Sequence, residues 1–374
     1  MTPSMDERAP TPLQPGQQVD NFKLISQVGV GASGEVWRAE DRLRTVALKF
    51  MKADLLHTDT ADKHRARFRN EIQALERLIG LPRIPTLYSY NLYHARPYLV
   101  MAYIDAPPWS VGIQSGHIMR LTVTQRLNLL QSVAQTIHDM HRQGILHRDI
   151  KPSNIHGASS PYLIDFSIAT VVSRAHLAET DVGTALYMPP SDGSPPDERH
   201  DNFGFALVAY ELLFGLHAIL SPAEMDEPFT RARHLMQHKL AENAWNLPSE
   251  LSEAALPGSL RGADLEQIDA LFTQALCERA LSASELTEGL RTAIINPDNA
   301  LHLGYVPSNF TAHTIPDEPH YTRHEVERAR RHTYHPPPPS RPSQRWGRWG
   351  AIVLVILWVV ALALVLVTVL SISA

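Results

Sequence analysis

The eight residues His147-Arg148-Asp149-Ile150-Lys151-Pro152-Ser153-Asn154 constrain this chain more than any other segment. They set a carboxylate, an amine and a carboxamide at fixed spacing. A second carboxylate, Asp165, follows eleven residues after Asn154, at the end of the short apolar run Tyr162-Leu163-Ile164. Such a set can orient an acceptor hydroxyl and give oxygen ligands to a divalent cation. Any fold that uses it has to bring Asp149, Lys151, Asn154 and Asp165 to one place.

The surrounding pattern predicts an α+β chain with a small β-rich lobe at 21–104 and a larger helical lobe at 105–295. Strand-like segments run from Phe22 through a glycine-rich turn, then over 35–39 and 45–50, and again over 86–92 and 98–104. One helix is expected over 66–79, where Phe68, Ile72, Leu75 and Leu78 recur at spacings of three and four. After Pro107-Pro108 the chain turns helical. Residues 123–141 form a helix that stops at Gln143-Gly144, 203–214 an apolar helix that stops at Gly215, and 265–277 and 283–295 two more. Residues 1–20, rich in Pro, Thr and Gln, are expected to be disordered and show no signal peptide.

The single cysteine, Cys277, rules out an intrachain disulfide and fits a reducing compartment. A formal net charge of -5 argues against nucleic acid as the main partner.

Residues 351–370 read AIVLVILWVVALALVLVTVL, with Thr368 the one polar residue. Twenty residues of helix span about 30 Å, the thickness of a bilayer's hydrocarbon layer. A single transmembrane helix is therefore expected over 350–371, with a short tail at 372–374. Arg341, Arg345 and Arg348 precede the run, which orients the N-terminal bulk to the cytoplasmic side, and Trp346 and Trp349 lie at its edge, where an interfacial aromatic belt would sit. The tail is too short for an external sensor. Residues 296–349 read as a basic linker, stiffened by the prolines at 336–339 and Pro342.

Gly29-Val30-Gly31-Ala32-Ser33-Gly34-Glu35-Val36 fits GxGxxGxV, whose glycines let backbone amides approach phosphate oxygens. Alone the motif serves equally as a tight hairpin turn. A dinucleotide-binding reading is disfavoured, because a strand and not a helix follows. Lys49 ends the apolar strand Val46-Ala47-Leu48-Lys49.

Taken together, the glycine-rich turn, this strand, the complete HRDxKxxN loop and Asp165-Phe166 resemble the eukaryotic-like (Hanks-type) serine/threonine protein kinases over roughly residues 21–292. The resemblance implies a two-lobed kinase fold and, with the C-terminal span, a bacterial inner membrane. It implies ATP and Mg²⁺, with Mn²⁺ as a substitute metal, and protein Ser/Thr hydroxyls as acceptors. In it, Val28, Gly29, Gly31, Gly34, Val36, Ala47, Lys49, Met101, Ala102 and Tyr103 enclose the nucleotide, with Met101 as gatekeeper. Glu71 fixes Lys49 on the α- and β-phosphates. Asp149 orients the acceptor hydroxyl or takes its proton, Lys151 neutralises the γ-phosphate, and Asn154 and Asp165 hold the metal.

His147 is expected to pack under the loop, and Arg148 to pair with a phosphorylated residue of the segment 167–190. That segment offers Thr170, Ser173, Thr180 and Thr184, with Thr180 preferred as phosphosite and Thr184 contacting Asp149 and Lys151. Asp201 matches the aspartate that holds the loop backbone.

Three departures stand out. Ser167 replaces the glycine of Asp-Phe-Gly, where serine restricts positive φ. Pro189-Pro190-Ser191 replaces Ala-Pro-Glu, so Ser191 stands where the family's glutamate would face Arg279. Ala102 replaces a hinge glutamate. These leave open a pseudokinase, a membrane-anchored scaffold without turnover, beside the enzyme. A small-molecule phosphotransferase is a third reading, disfavoured by the segment Gly183-Thr184-Ala185-Leu186-Tyr187. Lipid contact through the C-terminal helix follows from the span, and a homodimer is left open.

Overall fold

The computed structural model describes residues 12–31, 34–56, 58, 60–171, 185–190, 193–227, 229–242, 244–252 and 256–295. The chain divides into two units, 1–334 and 335–374, and every described residue lies in the first.

The small lobe is an antiparallel sheet in the order β1-β2-β3-β4-β6-β5. Its strands are β1 (Gln18–Val19), β2 (Phe22–Val30), β3 (Gly34–Glu40), β4 (Thr45–Met51), β5 (Leu87–Asn91) and β6 (Tyr98–Ala102). Side chains alternate between faces, as strand geometry requires. Val46, Leu48 and Phe50 join Trp37, Ala39, Tyr98 and Val100 in an outer apolar cluster. Met51 and Leu99, on the other face, join the main core. Lys49 shares that inner face, which is how β4 delivers an amine into the cleft. Residues 12–20 are not the disordered segment expected. Val19 is buried, Gly16 N–H donates to Leu24 O at 2.7 Å, and the Tyr98 hydroxyl donates to Asp20. The apolar Leu13 and Val19 find a surface on the sheet that composition does not reveal.

Helix α1 (Ala61–Arg77) packs Phe68, Ile72 and Leu75 inward. It begins five residues before the expected start at Ala66, because its first turn is polar and carries no apolar period. In the larger lobe come α2 (Trp109–Gln114) and α3 (Val123–Arg142). Helix α3 opens on a capping box. Thr122 Oγ1 accepts from Gln125 N–H at 3.2 Å, and Gln125 Oε1 accepts from Thr122 N–H at 2.8 Å. Four short strands follow: β7 (Ile145–Leu146), β8 (Ile155–His156), β9 (Tyr162–Leu163) and β10 (Thr170–Val171), pairing β7 with β10 and β8 with β9.

Helix α4 (Glu198–Phe214) starts five residues before the expected Phe203, capped by Asp197, and ends at Gly215 with φ 77°. Every residue from 203 to 214 is buried, as an all-round apolar helix should be. Its C-terminal carbonyls are capped by a buried arginine from α3: Arg126 Nη1 donates to Leu212 O at 2.9 Å and Leu213 O at 2.8 Å. Burial lowers the Arg126 guanidinium to about 10, so it remains a cation at neutral pH.

The lobe closes with α5 (Pro222–Met225), α6 (Phe229–Ala241), α7 (Leu265–Thr273) and α8 (Ala283–Ile294). The helix expected over 265–277 changes to one π-helical turn over Gln274–Glu278, which buries Ala275 and Leu276 and ends at Arg279 with φ 55°.

Among the described residues no helix is long and apolar enough to cross a membrane. The apolar run 351–370, the linker 296–349, the tail and residues 1–11 lie outside the described residues.

Gly204 is where α4 meets the functional loop. A Cβ there would lie 2.8 Å from Ile150 O and 3.2 Å from Tyr187 O, both backbone atoms that cannot swing away. Gly204→Ala is expected to destabilise the fold by about 2 kcal/mol through overpacking. Urea unfolding of the two proteins measures it; equal midpoints would mean that the loop can yield.

Candidate active site

The segment 147–154 is held from below by one carboxylate. Asp201, fully buried on α4, accepts His147 N–H at 2.9 Å on Oδ2 and Arg148 N–H at 2.6 Å on Oδ1. His141 Nε2 of α3 reaches the same Oδ2 at 2.8 Å. Arg148 has φ 68°, which turns two successive amides toward one acceptor group. Burial alone would raise the Asp201 carboxyl; the hydrogen bond and charge of His141 outweigh it and hold the group below its ordinary value. Burial alone would likewise lower His141, and Asp201 outweighs it and raises the ring.

His147 ties this loop to the segment after β9. Its Nε2–H donates to Ile164 O at 3.0 Å, and its Nδ1 accepts Asp149 N–H at 3.2 Å. Burial lowers the ring's affinity for a proton, in keeping with a neutral imidazole that donates from one nitrogen and accepts at the other. Its ring meets Phe166 edge-on at 4.7 Å. His147 therefore packs under the loop, as the resemblance implied.

Above it the polar side chains converge. The Asn154 amide nitrogen donates to Asp149 O at 2.8 Å and to Asp149 Oδ2 at 2.9 Å. Lys151 Nζ lies 2.7 Å from the same Oδ2. Both Asn154 contacts use the nitrogen, so its carboxamide oxygen is the atom that would meet a cation.

Across the cleft Lys49 Nζ lies 2.5 Å from Glu71 Oε1 of α1 and 2.8 Å from Asp165 Oδ1. Burial alone would lower the Lys49 amine, but the Asp165 and Glu71 carboxylates outweigh it and keep it charged. Burial alone would raise the Asp165 carboxyl, but the charge and hydrogen bond of Lys49 outweigh it and hold the group well below its ordinary range. Asp165 carries φ 64°, an uncommon conformation of the kind that concentrates at functional sites.

The residues expected around a nucleotide lie on the hairpin β2–β3 and on the inner ends of β4 and β6. Gly31 N–H donates to Gly34 O at 2.8 Å, closing the turn. A Cβ on Gly34 would lie 2.6 Å from Phe50 O, so no larger residue fits that register. Gly29 pairs with Val36, Val36 with Lys49, Ala47 with Met101 and Val46 with Ala102. Val28 lies in β2, between Gln27 and Gly29. Tyr103 follows β6, and the Arg38 guanidinium lies 5.4 Å from its ring centroid.

Several expectations need correction. Ser167 does not adopt positive φ; Asp165 does, so serine meets no backbone penalty in this conformation. The Ser167 N–H instead points at Asp165 Oδ1 at 3.4 Å. Thr170 is no accessible phosphosite: it is buried in β10, paired with Leu146. Ser173, Thr180, Thr184 and Ser191 lie outside the described residues.

The sequence reading also missed a contact beside the segment that ends at Pro190. The Tyr187 hydroxyl donates to Glu211 Oε1 at 2.6 Å, and the His217 ring meets Tyr187 edge-on at 5.7 Å. Burial pushes the Glu211 carboxyl up to about 7, against the opposing pull of the Tyr187 hydrogen bond. The signal was there to read: Glu211 is the lone charged residue in the apolar stretch 203–214.

Among the described residues no three His, Cys, Asp or Glu side chains gather to hold a metal by themselves. One carboxylate and one carboxamide oxygen facing a cleft suit a hard cation that takes its remaining oxygens from phosphate and water. Asn154 and Asp165 fit that description.

Comparison with known proteins agrees with this geometry. The family model described as protein kinase domain matches residues 22–261, well over half of the chain. The chain is 27% identical over 334 residues to the serine/threonine-protein kinase Pkn1 of Myxococcus xanthus, covering 79% of this chain and 47% of that one. It is 28% identical over 284 residues to a probable serine/threonine-protein kinase PknB of Corynebacterium glutamicum, covering 72% and 42%. It is 32% identical over 210 residues to the serine/threonine-protein kinase PknD of Mycobacterium tuberculosis, covering 54% and 31%. The chain thus spans less than half the length of these relatives.

The His141–Asp201 pair predicts a pH dependence with a definite sign. A histidine raised by folding stabilises fully below its ordinary value of 6.5 and loses that contribution as pH rises through the raised value. The stability gap between wild type and His141→Gln should be widest below pH 6.5 and shrink above it. Urea unfolding across that range tests this; a gap that does not change with pH would mean that the ring carries no charge there.

Proposed function

The chain belongs to the protein kinase family, and from that premise we propose that it is a serine/threonine protein kinase. It would transfer the γ-phosphate of ATP to Ser or Thr hydroxyls of proteins, itself included. The observation that carries this reading is Lys49, held at 2.5 Å from Glu71 and 2.8 Å from Asp165 in a cleft that also presents Asp149, Lys151 and Asn154. An amine clamped between carboxylates from two separate elements is suited to grip the α- and β-phosphates.

Asp149 would orient the acceptor hydroxyl and take its proton as the oxygen attacks phosphorus. Lys151, already beside Asp149, would offset charge on the transferring phosphate. Asn154 and Asp165 would hold Mg²⁺ or Mn²⁺, which would supply positive charge to offset the charge that develops on the phosphates. Gly29, Gly31 and Gly34 would let the hairpin backbone approach the phosphates. Arg148 would pair with a phosphate on the segment 167–190, and its buried Nε, which has no hydrogen-bond partner among the described residues, supports that role. The alternative, a scaffold without turnover, rested on Ser167 and Ser191; Ser167 no longer favours it, because the positive φ falls on Asp165 instead.

The apolar run 351–370 is read as a membrane span, with the kinase domain on the cytoplasmic side. Its support is its length, its composition and the arginines before it.

Two experiments test these readings. Purified protein given ATP and Mg²⁺ should phosphorylate itself or a generic basic protein, and Asp149→Asn should cut the rate by about 100-fold or more. Wild-type transfer no faster than that of the variant would favour the scaffold. Separately, truncation before Trp346 should release an active soluble protein; a truncated form that still pellets with membranes would show that another segment anchors it.

A further inference from the structure

The hairpin β2–β3 carries three glycines within six residues, Gly29, Gly31 and Gly34, and glycine backbones are soft. Something outside the cleft has to fix its height. Glu35 follows Gly34 directly and shares the outer face of the sheet with Trp37 and Ala39, while Val36 points the other way. Its carboxylate therefore stands on the side away from the cleft.

Two groups grip it there. Arg96, from the turn between β5 and β6, is 3% exposed and donates from Nη2 to Glu35 Oε1 at 2.7 Å. Gln27 of β2 donates from Nε2 to Glu35 Oε2 at 3.2 Å. The guanidinium is itself anchored to the next strand. Its Nη2 and Nε lie 3.3 and 3.4 Å from Met51 O of β4, and its Cζ lies 5.6 Å from the Phe50 ring centroid. The turn is fixed in its own right: Arg96 N–H donates to His94 Nδ1 at 3.1 Å, and Met51 N–H to Pro97 O at 2.9 Å. Among the described residues Glu35 is the carboxylate that forms an ion pair with Arg96. A guanidinium this buried needs that partner, since removing one member of a buried pair is strongly unfavourable.

We propose that Arg96 and Glu35 form a latch that sets the position of the glycine-rich hairpin over the nucleotide, which makes both positioning residues for ATP binding. The inference rests on the kinase reading. Neither side chain faces the cleft, so the latch acts through the hairpin alone. Asp149, Lys151, Asn154 and Asp165 sit on other elements and do not depend on it. Losing the latch should therefore weaken ATP binding and spare the transfer step.

The test compares wild type with Arg96→Gln, Glu35→Gln and the exchanged pair Glu35→Arg/Arg96→Glu. Glu35→Gln keeps the side-chain shape, so it remains informative if Arg96→Gln folds poorly. Each single variant should raise KM for ATP about tenfold, the worth of one charge-assisted hydrogen bond. The kcat at saturating ATP should stay within about twofold. Amide hydrogen exchange over 28–36 should quicken in both single variants without nucleotide, and the exchanged pair should recover part of both effects. Unchanged KM and unchanged exchange would overturn the latch, and so would a fall in kcat at constant KM. A wild-type protein that binds no ATP would defeat the kinase reading instead, while the exchange rates would still decide whether Arg96 and Glu35 hold the hairpin.

Discussion

The carboxylate of Asp201 receives the amides of His147 and Arg148 and the ring of His141, and the functional loop takes its shape from that contact. Two successive amides can converge on one acceptor only if the backbone between them bends into an unusual conformation, which Arg148 supplies. A group that orders a strained loop must not move. Asp201 meets that need because α4 is buried along its apolar length and capped at its far end by Arg126. Gly204, one turn further along α4, lets the loop backbone lie against the helix itself. The loop is thus a surface feature built directly on the most buried element of the fold.

Lys49 plays the corresponding part across the cleft. It joins β4, α1 and the segment holding Asp165, three elements far apart in sequence. Ions taken out of water gain little net stability from pairing, because the desolvation cost is of similar size to the attraction. A buried Lys–Glu contact is therefore better understood as fixing a geometry than as holding the lobe together. The outer cluster of Trp37, Phe50 and Tyr98 and the core side chains Phe68, Ile72 and Leu75 supply the stability.

On the side of the cleft that ends at Pro190, the Tyr187–Glu211 hydrogen bond braces the chain against α4. The same helix therefore supports both the loop with Asp149 and the segment beside it, through Asp201 and Glu211, ten residues apart. A carboxylate in an apolar helix is costly unless it is hydrogen-bonded, and each of these has a specific partner. Their presence in the most buried helix is accounted for by what they hold.

The sequence by itself determined the α+β division and the order of the longer strands and helices, and the motif spacing, through its resemblance to a kinase loop, named the polar groups that the structure brings together. Those features rest on local periodicity and on fixed spacings such as Asp149 to Asn154, which survive in one dimension. It misjudged starts and breaks where the signal is not periodic: the polar first turn of α1, the π-helical turn at Gln274–Glu278, and the segment 12–20, whose Leu13 and Val19 look too sparse to fold. It also put the backbone constraint on Ser167, when the chain takes up positive φ at Asp165. Only the tertiary structure decided that Glu211 meets Tyr187, that Thr170 is buried and that Arg96 reaches Glu35 across 61 residues of sequence. A hydrogen bond or ion pair of that kind depends on distance and direction between elements, and no spacing along the chain encodes either.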